Sequence, residues 1–277
     1  IPETAMPLPR LGAALTLGDL LPLRDWIFET QRAVEIQDFC PPEMVTTDQS
    51  DRIAAWTRAL DGHTGPRVLH GPFYGLDLAN PDDEIRAVVQ RRLIRGVEIA
   101  AALGCDMMVV HSPFTLWGRL NYLNYTGYRD ALMGFSAMAL RPVLARAADA
   151  GVTLALENIE DCDPADRVDL ARRLNHPALR VSLDTGHAML THCRMAAPPV
   201  QDHVTVAGDL LAHVHLQDVD GWADRHWHPG EGIVPFAPLF HAFALLKTMP
   251  RLILEVNDRK PALPATVARL EAAGIAC

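Results

Sequence analysis

Residues 151–187 read GVTLALENIEDCDPADRVDLARRLNHPALRVSLDTGH, and the fold turns on how this stretch is parsed. A short apolar run from Thr153 closes on Glu157, an amphipathic segment follows from Pro164 to Leu174, and a second apolar run from Arg180 closes on Asp184. Strand, helix, strand is the βαβ unit, in which two parallel strands are joined by a helical crossover. The same alternation repeats outward in both directions. Further candidate strands are Leu11 to Leu17, Ala33 to Phe39, Arg67 to His70, Met107 to His111, Ala212 to Leu216 and Arg251 to Glu255. Candidate helices are Asp48 to Leu60, Asp82 to Leu103, Tyr128 to Ala150, Phe236 to Lys247 and Ala262 to Ala273. Asp82, Asp83 and Glu84 suit a first helical turn, and Gly104 and Gly151 sit just past helix ends. Eight strands interleaved with helices predict an α/β chain forming a single (β/α)8 TIM barrel over residues 1–277, close to the usual size of about 250 residues.

Composition narrows the function classes. The chain is 49% hydrophobic, enough for a sizeable core, yet no apolar run approaches the roughly 18 residues of a membrane span. The N-terminus lacks the regions of a secretory signal, and the five cysteines are scattered with no CxxC pair, which fits a reducing compartment, by default the cytoplasm. A net charge of -9 with only two lysines, Lys247 and Lys260, argues against nucleic acid as a partner, because backbone binding needs clustered cations. The one dense basic run, Arg91, Arg92 and Arg95, reads as a solvated helix face. Assembly into a homo-oligomer is left open. Two connections look too long for tight turns: Ser112 to Gly127, carrying Trp117, Tyr122 and Tyr125, and Ala188 to Val204. Long loops at the C-terminal face of a barrel form lids or substrate walls.

Four candidate strands in a row end on polar groups: Glu157, Asp184, His215 and Glu255. Because side chains alternate along a strand, each shares the inward face with the residue two before it. A buried inward carboxylate must find a cation or hydrogen-bond donors. Three carboxylates and an imidazole at one mouth are a ligand set for a hard or borderline divalent metal. His70 and His111 end two further strands, His187 follows in Asp-Thr-Gly-His, and Asp224 and His226 follow the seventh strand, as additional metal ligands or substrate contacts. His228 falls in the same segment. His213 lies a layer deeper and reads as a satisfied core histidine; Glu35 suits either a substrate contact or a buried ion pair. His63, His176, His192, His203 and His241 read as surface or packing residues. Pro229-Gly-Glu-Gly232 is too short and proline-led for a phosphate cradle.

In order and spacing, His-Gly-Pro-Phe at His70, Leu-Glu-Asn at Glu157, Asp-Thr-Gly-His at Asp184, His-Leu-Gln-Asp at His215 and Leu-Glu-Val at Glu255 resemble the xylose-isomerase-like TIM barrels. That superfamily holds sugar phosphate isomerases and epimerases together with endonuclease IV. The resemblance implies a divalent cation (Mn2+, Mg2+, Co2+ or Zn2+) on Glu157, Asp184, His215 and Glu255, and a small-molecule carbohydrate substrate. It implies proton transfer by Glu157 and Glu255 through a metal-stabilised enediolate, with Arg225 and His187 binding substrate oxygens and Trp117 or the nearby tyrosines covering the sugar. Two alternatives share the residues: a three-zinc phosphodiesterase of the endonuclease IV kind, acting on abasic DNA, and a lyase or dehydratase using the same enolate chemistry. The acidic chain and the aromatic-rich segment at 112–127 favour small-molecule chemistry.

Overall fold

Eight parallel strands close on themselves in chain order in the computed structural model, which describes residues 8–277. They are Gly12–Leu15 (β1), Val34–Ile36 (β2), Arg67–His70 (β3), Met107–His111 (β4), Thr153–Glu157 (β5), Leu179–Asp184 (β6), Leu211–Leu216 (β7) and Arg251–Leu254 (β8). The seam is made by β8 against β1, with Gly12 opposite Ile253 and Ala13 opposite Leu254. The surrounding helices are Leu17–Glu29 (α1), Ser50–Ala59 (α2), Asp83–Ala102 (α3), Leu116–Asn121 (α4), Tyr128–Asp149 (α5), Pro164–Leu174 (α6), Thr185–Met195 (α7), Val200–Ala207 (α8), Phe236–Ala244 (α9) and Leu263–Ala272 (α10). This is the (β/α)8 barrel that the alternation implies.

Strand alternation divides the core into two environments. Leu154, Leu156, Val181, Leu183, Val214, Leu216, Leu252 and Leu254 point outward into the large apolar cluster beneath the helices. Inside the barrel the apolar clusters are small: Val68, Met107, Val109 and Ala155 in one, Ala14, Ala33 and Ile253 in the other. Glu35, Ser182 and His213 share that interior, all fully buried. A lumen only partly filled by hydrocarbon leaves room for a polar site resting on its own polar support.

The departures from the expected elements have local causes. β1 stops at Leu15 rather than Leu17, because Thr16 caps α1 by accepting from the Asp19 N–H while the Asp19 carboxylate accepts from the Thr16 N–H. Helix α1 itself escaped the sequence reading because Pro22 lies inside it. The stretch 188–204 is not a loop: α7 starts directly at the end of β6 and α8 follows after Pro199. The stretch 112–127 likewise contains α4, capped by Thr115. Helix α9 ends at Ala244, short of Lys247. Among the described residues no helix is long and apolar enough to cross a membrane. The signal-free N-terminus expected from the sequence falls in part on residues 1–7, outside the described residues.

Candidate metal centre

The register of β4 to β8 sets the polar strand ends side by side: His111 lies opposite Glu157, and Asp184 opposite His215. Donor atoms of Glu157, Asp184, His215 and Glu255 lie within 4.8 Å of one another. The common neighbour is His215 Nδ1, at 2.7 Å from Glu157 Oε1, 3.3 Å from Glu255 Oε2 and 4.0 Å from Asp184 Oδ2. All four side chains are buried. Two of the oxygens, Glu157 Oε2 and Asp184 Oδ2, have no hydrogen-bond donor, a costly condition for buried carboxylates.

The electrostatics show how strongly this cluster attracts positive charge. Burial opposes a charged His215, but Glu255, Glu35 and Glu157 outweigh it and raise the imidazole pKa well above its ordinary value. Burial also opposes an ionised Glu157, yet the charge and the hydrogen bond of His215 hold that carboxyl well below the usual range. Asp184 goes the other way, pushed up to about 6 by burial that His187 only partly offsets.

Around the four lie the five residues expected as further ligands or contacts. His70 Nε2 and His111 Nε2 stand 3.7 and 3.6 Å from Glu157 Oε2, and burial drives the His111 pKa down to about 3, leaving a neutral imidazole. On the other flank Asp224 bridges two histidines, with Oδ2 3.4 Å from His187 Nε2 and 3.2 Å from His226 Nε2. Burial disfavours a charged His226, but the bond to Asp224 prevails and lifts it to about 9.

Several supporting residues were not identified from sequence. Gln217 Nε2 donates to Asp184 Oδ1 and Asp224 Oδ1, both at 3.1 Å, tying the two flanks together. Its amide lies against Gly186, where any Cβ would collide with it. Asn158 accepts from the Asp184 N–H at 2.8 Å and donates to the Asp184 carbonyl at 2.9 Å, clamping the end of β5 to the end of β6. Gln37 donates to Glu255 Oε1. Gln37 and Gln217 each stand two residues beyond an inward polar group, Glu35 and His215, so continuing the strand alternation past the strand end would have found them.

The four-residue cluster lies at the bottom of a cavity of about 440 Å³, lined by Glu157 and Glu255 but not by Asp184 or His215. Its aromatic wall comes from the segment after β3, where Phe73 stacks on His111 at 4.2 Å and Tyr74 stacks on Phe73 at 4.2 Å. The sequence reading had placed Trp117 or the nearby tyrosines there. Helix α4 buries Gly118 and Asn121, which turns Trp117 outward; it is 73% exposed and lines no part of the cavity. Tyr122 is turned instead to Asp166 Oδ2 at 3.1 Å. Arg225 likewise lies outside the cavity lining, its guanidinium 2.9 Å from the Asp220 carboxylate. His228 faces α10 through Thr266 Oγ1 at 2.7 Å. The Pro229–Gly232 turn wraps the Asp218 carboxylate, which accepts from the N–H groups of Gly230, Gly232, Val234 and Val219. Those amides are therefore spent and cannot hold a phosphate.

Comparison with known proteins identifies the family and the fold. The model of the family described as xylose isomerase-like TIM barrel matches residues 32–273. An uncharacterized protein of Methanocaldococcus jannaschii is 24% identical over 179 residues, 61% of this chain and 57% of its own. Fructoselysine 3-epimerase of Escherichia coli O157:H7 is 44% identical over 43 residues, 16% of either chain. The chain thus spans little more than half of the first curated relative and a sixth of the second. Among solved structures, a D-tagatose 3-epimerase-like protein superposes with a TM-score of 0.76 at 19% identity, over 96% of this chain and 98% of that one, a likeness of fold.

Proposed function

The chain belongs to the xylose isomerase-like TIM barrel family, and from that premise we propose that it is a divalent-metal-dependent isomerase or epimerase of a sugar or sugar derivative. One observation carries the reading: the buried cluster of Glu157, Asp184, His215 and Glu255, two of whose carboxylate oxygens lack any donor, at the bottom of a sugar-sized cavity. The donor set fits the ion that the family implies, since three carboxylates and one imidazole suit Mn2+, Mg2+, Co2+ or Zn2+. When bound, the ion supplies Lewis-acid polarisation of the substrate's carbonyl oxygen, worth several kcal/mol.

The remaining work falls to the chain's own groups. Glu157 and Glu255 line the cavity and are the acid and base, one taking the proton from the carbon beside the carbonyl and the other returning it. Such steps contribute roughly 10² to 10⁴ each. Gln37 orients the Glu255 carboxylate, and His187, Asp224 and His226 on the rim bind substrate hydroxyls. Phe73 and Tyr74 shield the site from water. The local match to fructoselysine 3-epimerase and the fold shared with the D-tagatose 3-epimerase-like protein support a keto-sugar over a nucleic acid.

The test is solvent deuterium incorporation across a panel of ketoses and ketose phosphates. Exchange should require added Mn2+ or Co2+ and disappear in both Glu157→Gln and Glu255→Gln. Exchange retained in both variants removes their assigned roles. Cutting of an abasic-site duplex at low salt, with no exchange on any sugar, would instead support the phosphodiesterase reading.

A further inference from the structure

We propose that Glu35 is a positioning residue, reaching across the barrel lumen from β2 to hold the rear nitrogen of His215 and so decide which imidazole nitrogen is offered to the cation. The inference rests on the metal-centre reading above and adds to it a residue that touches neither cavity nor substrate.

Glu35 is wholly buried, and its two oxygens lie 2.9 and 3.0 Å from His215 Nε2. The other ring nitrogen, Nδ1, is the one that faces Glu157, Glu255 and Asp184. A neutral imidazole carries one N–H, and the hydrogen bond made by one nitrogen decides whether the other presents its lone pair. A carboxylate at Nε2 accepts that N–H and leaves Nδ1 free to bind a cation. Glu35 is flanked in turn by His213, whose Nε2 lies 2.9 Å from its Oε2 outside hydrogen-bond alignment and whose Nδ1 lies 2.9 Å from Ser182 Oγ. The His213 and His215 rings meet edge-on, 4.7 Å between centroids at 88°. Strands β2, β6 and β7 are thereby linked through the lumen by a run of polar contacts that ends on the back of His215. A simple buried ion pair would need only one histidine. This carboxylate meets two, and one of them belongs to the ligand set.

Carboxylate partners of metal-bound histidines typically account for 10- to 100-fold in affinity. Titration of metal-free protein with Co2+, following the visible absorption of the bound ion, reads both affinity and ligand geometry. Glu35→Gln preserves size and removes the charge; it should bind Co2+ about 10- to 100-fold more weakly, with a shifted absorption band. Glu35→Asp, which keeps the charge at shorter reach, should recover part of the affinity and serves if Glu35→Gln does not fold. A merely structural role would lower the unfolding temperature of the metal-free variants but leave affinity and band at wild-type values, and that result overturns the inference alone. So does a wild type that binds two Co2+ per chain, one of them lost in Glu35→Gln, because Glu35 would then be a ligand. A wild type that takes up no Co2+ overturns the metal-centre reading as well.

Discussion

At the residue scale, Asp218 shows how much local structure one buried carboxylate can organise. It accepts from four backbone N–H groups, and Gly232 packs so closely beneath it that an added Cβ would meet the Val219 carbonyl. Asp218→Ala leaves those donors without an acceptor; two of them, on Val219 and Val234, are buried, and at about 1–3 kcal/mol for each buried unsatisfied group the variant should lose at least about 2 kcal/mol. Urea unfolding measures this, and a loss within 0.5 kcal/mol, roughly the range of ordinary surface substitutions, would contradict it. Six of the nine polar residues expected at the mouth, His70, His111, Glu157, Asp184, His215 and Glu255, were legible because a single rule, inward facing at the strand end, picks them out, whereas His187, Asp224 and His226 lie beyond the strands and were read from their place in the segments that follow. Trp117 and Arg225 lie outside the cavity lining because their direction depends on facts that the rule does not carry: which face α4 buries, and that Asp220 draws Arg225 back. Glu35 was left ambiguous for a related reason. Its meaning depends on His213 and His215, nearly two hundred positions away along the chain.

At the scale of the element, the eight strands were legible from apolar runs alone, whereas α1, α4, α7 and α8 were not. Three of those are short or proline-bearing, and α7 begins inside a motif that reads as a turn. Asp184 is the N-cap of α7, its Oδ1 accepting from the His187 N–H at 2.7 Å, while its other oxygen faces His215. One side chain therefore starts a helix and completes the ligand set. Because Asn caps a helix about as well as Asp, Asp184→Asn should keep the metal-free fold at near wild-type stability and lose tight cation binding. Parallel thermal melts without metal and with Mn2+ separate the two effects. Unfolding of the metal-free variant would show that the charge is structural.

Across the whole molecule, a cation at this cluster would join the ends of β5, β6, β7 and β8 at the mouth of the barrel. A ligand that binds only the folded state stabilises it by mass action, by about 4 kcal/mol at a thousand times its dissociation constant. Chelation should therefore lower the unfolding temperature of wild-type protein, restored Mn2+ should recover it, and Asp184→Asn should respond to neither. The barrel and its chain order were legible because every βα unit repeats one pattern. The substrate wall was not, because Phe73 and Tyr74 acquire their role only when His70 and His111 come together at the mouth.

The central claim, that four strand-end side chains together hold one divalent cation, is tested most directly by anomalous X-ray diffraction from crystals soaked in Mn2+. The account predicts a strong peak within bonding distance of Glu157, Asp184, His215 Nδ1 and Glu255. A peak confined to the His187, Asp224 and His226 group, or no peak at the cluster under saturating Mn2+, would contradict it.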